Sequence, residues 1–453
     1  MAKKVDATSG NLVKKIFLFT IPLILSSILQ EFFNIADKAV LGNMAGTNAV
    51  AAIGATTVVT SLIVNWGIGI SAGTSIILAR FVGQKDAEKI KRTINTSIIS
   101  AVFIGLFIAV IGVLLSPFFL QEMKCPEECF DDALIYTRVY FLSTPVILLY
   151  NYGSAILRTL GDTQRPLFYI VIAGVINVVL NIILCLVLPQ KVLAVAIATI
   201  VSQIVSIILV LHRLSNFEGE AKLSITKMRF HPDTFILILR FGIPTAISAI
   251  LLPLANLQVV PAINSYGVDA IAGNSAGNSI QTVAGAFSGG FSHAASTFVG
   301  QNIGAKDIAR VKKSFWYILM FGVLIAGSVG AILYLSGRFW LGIIVGFSAK
   351  AAIDYGMSRM FFVTLFTFVA ATNGVLTNSL QAFGYPLFTS ISNIAFTLGF
   401  RIFWMQCIYP LKPAFDMIML CFLVSWTLNM LLYAAFFTFV YRRYTKYGIC
   451  KKI

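Results

Sequence analysis

The sequence predicts an all-α polytopic membrane protein with twelve transmembrane helices in two six-helix lobes, related by a pseudo-twofold axis along the membrane normal. Three observations carry that prediction. Of 453 residues, 58% are hydrophobic and only 11% are charged, against roughly 25% charged in a soluble domain. Twelve stretches are long and apolar enough to cross a hydrocarbon core about 30 Å thick, which takes roughly 20 helical residues at 1.5 Å each. Four short motifs also recur, in the same order, in the two halves of the chain.

The first stretch, 16–41, contains Pro22 and, toward its far end, Glu31 and Asp37. The second, 50–80, ends just before Phe81-Val-Gly-Gln84. The third, 94–120, includes the continuous apolar run 98–120, which excludes the alternating ten-residue strands of a membrane β-barrel. The fourth, 133–157, leads through Ile156-Leu-Arg-Thr-Leu-Gly-Asp-Thr-Gln-Arg-Pro-Leu167 into the fifth, 167–188, and the sixth is 191–212. A polar segment, 212–233, is the longest hydrophilic connection and the expected hinge. Beyond it come 234–264 with Ile243-Pro244, 270–299 ending at Phe298-Val-Gly-Gln301, 313–336, 355–382, 387–409 behind Pro386, and 415–441. Several exceed the minimum and should tilt or emerge from the bilayer.

Charge sets the orientation. With the N-terminus in the cytoplasm, 24 of the 34 Lys and Arg residues fall in cytoplasmic tails and loops, and only Lys38, Lys124, Lys191, Arg338, Lys350 and Lys412 fall outside. That asymmetry places both termini in the cytoplasm of an inner-membrane protein. It also accounts for the net charge of +16 without nucleic acid as a partner. The opening Met1-Ala-Lys-Lys-Val lacks the pattern of a removable signal peptide. Cys125 and Cys129 share an outer loop, where they can be two thiols or a disulfide.

The repeat divides the chain into an N-terminal lobe, 1–214, a cytoplasmic linker, 215–232, and a C-terminal lobe, 233–453. Phe81-Val-Gly-Gln84 matches Phe298-Val-Gly-Gln301, and Lys85-Asp-Ala-Glu-Lys-Ile-Lys-Arg92 matches Lys306-Asp-Ile-Ala-Arg-Val-Lys-Lys313. Ile21-Pro22 matches Ile243-Pro244, and Pro166-Leu-Phe168 matches Pro386-Leu-Phe388. The offsets agree once Asn302-Ile-Gly-Ala305 is taken as an insertion. Six spans return the chain to its starting side, so the halves are parallel repeats of the transporter kind. Facing bundles enclose a central cavity that rocking exposes to alternate sides. An enzyme would need a catalytic constellation there, and the chain has only His212, His231 and His293.

A carboxylate inside a span is costly and marks a pathway by default. Counting from helix ends at 1.5 Å per residue, Asp37 lies about 8 Å below the outer boundary, Asn181 about 10 Å, Thr199 about 13 Å and Asn177 about 16 Å. Asn177 and Asn181 share a helix face. A carboxylate, two amides and a hydroxyl make hard oxygen donors for a small cation, or surround a carboxyl that loads and unloads a proton. The alternative for the amides and the hydroxyl is interhelical polar glue.

The 156–167 stretch, the Asn177 helix, Ala198-Thr-Ile-Val-Ser-Gln203, Ala36-Asp37 with Leu41-Gly42, and Phe298-Val-Gly-Gln-Asn-Ile-Gly-Ala305 resemble the multidrug and toxic compound extrusion (MATE) transporters. The resemblance spans nearly the whole chain. It implies secondary antiport: amphipathic organic cations leave in exchange for inward protons or sodium, with no cofactor beyond the coupling ion. It also implies small-molecule substrates, the lipid bilayer as surroundings and a monomer. The family's first-lobe cation site falls on Asp37, Asn177 and Thr199. Where many members have a second aspartate this chain has Asn181, so one titratable group remains, and sodium can still be coordinated. The spans 234–265 and 355–381 contain no Asp or Glu, which resembles the DinF-like branch rather than the NorM-like one. Glu31, Gln203 and Arg401 are candidates for the substrate cavity. Arg401 is the counterpart of Asn181 at an offset of 220, and its long stem can either snorkel to the headgroups or bind an anionic group or Glu31. A lipid-linked oligosaccharide flippase of the same architecture is the competing function, disfavoured because, apart from Arg401, the deep basic residues are limited to Arg138, Arg240 and Arg359 near span ends.

Overall fold

The computed structural model describes residues 5–123, 127–217, 219–224, 226, 228–257 and 259–447. The chain is all-α, with 89% of it helical and no strand among the described residues. The helices of the first half are α1 (Leu12–Gln84), α2 (Ala87–Glu122), α3 (Glu127–Leu142), α4 (Thr144–Thr159), α5 (Gln164–Val187) and α6 (Lys191–Ser215). Those of the second are α7 (Pro232–Leu257), α8 (Val260–Asn264), α9 (Val268–Gly304), α10 (Ile308–Leu335), α11 (Gly337–Val345), α12 (Lys350–Arg359), α13 (Thr367–Ala382), α14 (Pro386–Asn393), α15 (Phe400–Phe403) and α16 (Phe415–Tyr447).

Among the described residues, ten helical stretches are long and apolar enough to span a bilayer, and α3 with α4, bent by 45°, makes an eleventh. The twelfth expected span, 270–299, corresponds to α9. At 37 residues it is long enough, but it falls outside the apolar set. The reason lies in its two faces. One is packed with Gly, Ala and Ser against α10, α12 and α13, as small residues allow. The other exposes Ser275, Asn278, Thr282 and Gly285 at helical spacing, a surface suited to water rather than acyl chains. The first two expected spans also differ from expectation. Their connector contains no proline, and the backbone stays helical from Leu12 through Gln84.

The duplication is visible in the backbone. Lys85 and Lys306 both adopt positive φ, 57° and 58°, directly after matched helix ends. The next residue in each case, Asp86 or Asp307, is an N-cap whose carboxylate accepts from the backbone N–H of Lys89 at 3.1 Å or of Arg310 at 2.8 Å. The insertion 302–305 carries α9 about one turn beyond Gln301, whereas α1 stops at Gln84.

Two compact units result. One contains Leu25–Ala246, and the other contains Asp6–Ile24 together with Ile247–Ile453. Each exchange point, at Ile24 and at Ala246, falls just beyond one proline of the repeated pair, Pro22 and Pro244. In the second unit the segment before α1 is held by its own backbone: Gln301 Oε1 accepts from the Ala7 N–H at 3.3 Å, and the Ala7 carbonyl accepts from Asn302 Nδ2 at 3.2 Å and Arg310 Nε at 2.9 Å. Asp6 organises that segment by accepting from the Thr8 and Ser9 hydroxyls, both at 2.6 Å.

Candidate functional site

In the first unit, α5 is apolar except on one stripe. Asn177 and Asn181 lie there one turn apart, both buried. Asn181 Nδ2 donates to Asn177 Oδ1 at 3.3 Å, Asn177 Nδ2 reaches Thr199 Oγ1 of α6 at 3.5 Å, and Thr199 Oγ1 donates to the Val195 carbonyl at 2.9 Å. Three of the four expected ligands thus form one hydrogen-bonded chain. The side chain of Asp37 lies outside the described residues. Phe33, one turn before it in α1, packs against α5 where Gly174 leaves room: a Cβ there would lie 2.1 Å from Phe33 Cε2. Gln203, one turn beyond Thr199, and Glu31 are both half-buried. Cys125, needed for the proposed loop disulfide, also lies outside the described residues.

The second unit holds a cluster of opposite polarity. Arg401 has no exposed surface at all, so its stem does not snorkel. Its Nη1 donates to Asn256 Oδ1 at 3.1 Å, its Nε reaches Ser425 Oγ at 3.5 Å, and its guanidinium carbon sits 4.3 Å from the centroid of the Phe422 ring. These partners belong to its own unit. Arg359 is 5% exposed and lies 5.5 Å from the centroid of that same ring. It donates at 2.7 Å each to Asn274 Oδ1, Asn278 Oδ1 and Gln281 Oε1 of α9. Gly273 permits this approach, because a Cβ there would stand 2.1 Å from the Ala352 carbonyl oxygen of the arginine's own helix.

Both arginines adjoin π-helical turns. One, Met360–Thr364, begins directly after Arg359, and two others, Ile394–Gly399 and Trp404–Ile408, bracket Arg401. Such turns are rare and concentrate at functional sites. Sequence reasoning placed Arg359 near a span end and missed its burial. The signal that could have found it is the stripe Asn274, Asn278, Gln281, which recurs once per turn along the eighth span.

The MatE family model matches the chain twice, over residues 22–183 and 244–404. The chain belongs to the MatE family. Both matches of this MatE protein begin at a proline of the repeated Ile-Pro pair. Among curated relatives, the "Probable multidrug resistance protein YoeA" of Bacillus subtilis (strain 168) is 24% identical over 393 residues, 85% of this chain and 84% of that one. The "FAD transporter" of Shewanella oneidensis (strain MR-1) is 26% identical over 310 residues, 65% of this chain and 66% of that one. Among solved structures, a MATE protein in complex with MaL6 matches with a TM-score of 0.89 at 20% identity, covering 97% of this chain and 99% of the other. The protein is therefore an integral membrane member of a transporter family.

Proposed function

We propose that this MatE protein is a secondary active antiporter. It exports amphipathic organic cations, drugs among them, by alternating access in exchange for inward protons or sodium. Asp37, Asn177, Asn181 and Thr199 form the coupling site. The observation that carries this reading is the buried chain Asn181–Asn177–Thr199, which presents amide and hydroxyl oxygens in apolar helices one side chain short of a cation site. Multidrug resistance relatives covering most of the chain support export as the activity. The protein needs no cofactor beyond the coupling ion and catalyses no covalent chemistry. It acts as a monomer in the inner membrane with both termini in the cytoplasm, and its partners are small amphipathic molecules and lipid rather than nucleic acid.

Coupling requires a group whose occupancy biases two conformations, and Asp37 is the one acid in the proposed set. The test is efflux of a fluorescent organic cation from cells expressing Asp37→Asn. Efflux should fall to the level of cells without the protein, and wild-type efflux would remove Asp37 from the mechanism. Counterflow in proteoliposomes under an imposed pH gradient, and then under a sodium gradient, identifies the coupling ion.

A further inference from the structure

The second unit buries two guanidinium groups without burying a negative charge. Its acids are Asp6, Asp269, Asp307, Asp354 and Asp416, and all five are exposed. Asp354 pairs with Arg338 at 2.8 Å, and Asp416 accepts from the Ser358 hydroxyl. Arg359 and Arg401 therefore share the Phe422 ring with only neutral oxygens as acceptors. Each also keeps an unused donor: among the described residues, Arg359 Nε and Arg401 Nη2 are buried without a hydrogen-bond partner. Guanidinium is charged at any physiological pH, and two such charges in a span are costly unless an anion joins them.

Polar glue explains this poorly. A helix pair needs one amide or hydroxyl contact to stay in register, not two cations. The surroundings also supply an approach. Asn278, which accepts from Arg359, is exposed and belongs to the polar stripe on α9 that continues through Ser275 and Thr282. The arginine is thus one side chain away from open space.

We propose that Arg359 and Arg401 form a binding site, wholly within the second unit, for a carboxylate or phosphate group carried by an amphipathic substrate. This rests on the reading of the protein as an exporter of amphipathic compounds, and it extends the substrate class from organic cations to zwitterions and organic anions. The planar guanidinium fork suits both oxyanions, and the Phe422 ring beside the two charges is an apolar surface for an adjoining group.

The test compares two dyes that differ by one methyl group: rhodamine 110, with a free carboxylate, and rhodamine 123, its methyl ester. Binding of each to the full chain in detergent micelles is followed by fluorescence polarisation. Arg401→Gln and Arg359→Gln should each weaken rhodamine 110 by about tenfold or more, the range of a hydrogen bond to a charged group, while rhodamine 123 changes by less than about twofold. Equal losses for both dyes, or no loss for either, would overturn the proposal and leave the arginines a packing role. If neither variant folds, the wild type decides. There the acid must bind more tightly than the ester, and equal affinities overturn the site. Displacement of rhodamine 110 by phosphatidylglycerol would assign the arginines to a lipid headgroup and overturn it equally. Equilibrium binding needs no ion gradient, so a failure of antiport coupling would leave these outcomes unchanged, and a failure here would leave coupling at Asp37 untouched.

Discussion

The α5–α6 cluster of the first unit and the Arg401 cluster of the second occupy matched places in a duplicated chain, and they carry opposite chemistry. Asn181 corresponds to Arg401. The spacing of Thr199 and Gln203 on α6 repeats in Ser425 and Asn429 on α16. In one unit the amide nitrogen of Asn177, one turn before Asn181, reaches the α6 hydroxyl at 3.5 Å, and in the other the guanidinium nitrogen of Arg401 reaches the α16 hydroxyl at 3.5 Å. A hydroxyl accepts from either donor with the same geometry. The acceptor hydroxyl thus recurs, but its donor is Asn177 in one unit and Arg401, the counterpart of Asn181, in the other, so the halves differ both in charge and in the helical turn that makes the bond.

The strongest way to break that difference is to give the first unit the second unit's polarity. Asn181→Arg places an uncompensated cation among buried amides, a site with neither the Phe422 ring nor the α9 stripe. Expected is a loss of about 3 kcal/mol, the scale for a charge at mid-helix in a bilayer, seen as a lower melting temperature in detergent, together with loss of efflux. The reverse change should be mild. Arg401→Met removes a buried charge for an apolar chain of similar length, and such replacements are often neutral or stabilising. If Arg401→Met proves as costly as Asn181→Arg, then the two sites do not differ in the way the charge argument requires.

Next in size is a comparison of close approaches. Gly273 and Gly174 each position a cluster, and a Cβ at either would lie 2.1 Å from its nearest obstacle. At Gly273 the obstacle is backbone, the Ala352 carbonyl. At Gly174 it is the far edge of the Phe33 ring, which can rotate away. Gly273→Ala should destabilise by about 2 kcal/mol through overpacking and shift Arg359 from its α9 acceptors. Gly174→Ala should cost less, because the ring can turn aside while the helix propensity gain of up to about 1 kcal/mol is the same at both sites. Equal melting temperatures for the two variants would show that α9 can move off α12 as easily as a ring turns.

Much of this was legible in the sequence because it depends on local pattern. Continuous apolar runs, the Phe-Val-Gly-Gln repeat, and the i, i+4 spacing of Asn177 and Asn181 are readable without a partner helix, and the resulting all-α architecture and polar chain follow from them. What was not legible depends on what lies across the gap. Arg359 resembles a boundary residue until α9 supplies Asn274, Asn278 and Gln281 as acceptors. Arg401 has a stem long enough to snorkel, and only the packing of α16 shows that it does not. The α9 helix passes as a span by length, but its polar stripe makes sense only once its other face is seen to be covered by protein.

A smaller prediction returns to polar glue as the competing account of the first cluster. Asn177 links Asn181 to Thr199, yet Thr199 also has the Val195 carbonyl. Asn177→Leu should therefore cost only about 0.6 kcal/mol, the average for an interhelical bond in a membrane, while efflux drops by at least about tenfold if the amide serves the coupling ion. A small stability loss with wild-type efflux would reduce the chain to glue.

The smallest effect distinguishes the segments that lead into the two prolines. The one before α1 contains Asp6. Burial by itself would raise the pKa of that carboxyl, but hydrogen bonds from Ser9 and Thr8 and the nearby Lys15 outweigh it and bring the value from 3.8 to about 2. A depressed pKa in the folded state means that the stabilisation is complete above the unfolded value near 3.8 and is lost as pH falls through about 2. The corresponding contact before α7, the His231 N–H donating to Thr96 Oγ1 at 3.3 Å, involves no carboxylate and should not titrate in that window. Because Asp6 is exposed, its contribution is less than about 1 kcal/mol. Melting of Asp6→Asn against wild type should show a small, constant deficit from pH 7 down to about 4 that closes toward pH 2, whereas Thr96→Val should show a deficit that does not change over the same range. A deficit for Asp6→Asn that persists unchanged at pH 2 would mean that the segment is held by its backbone bonds to Gln301, Asn302 and Arg310 and not by the carboxylate.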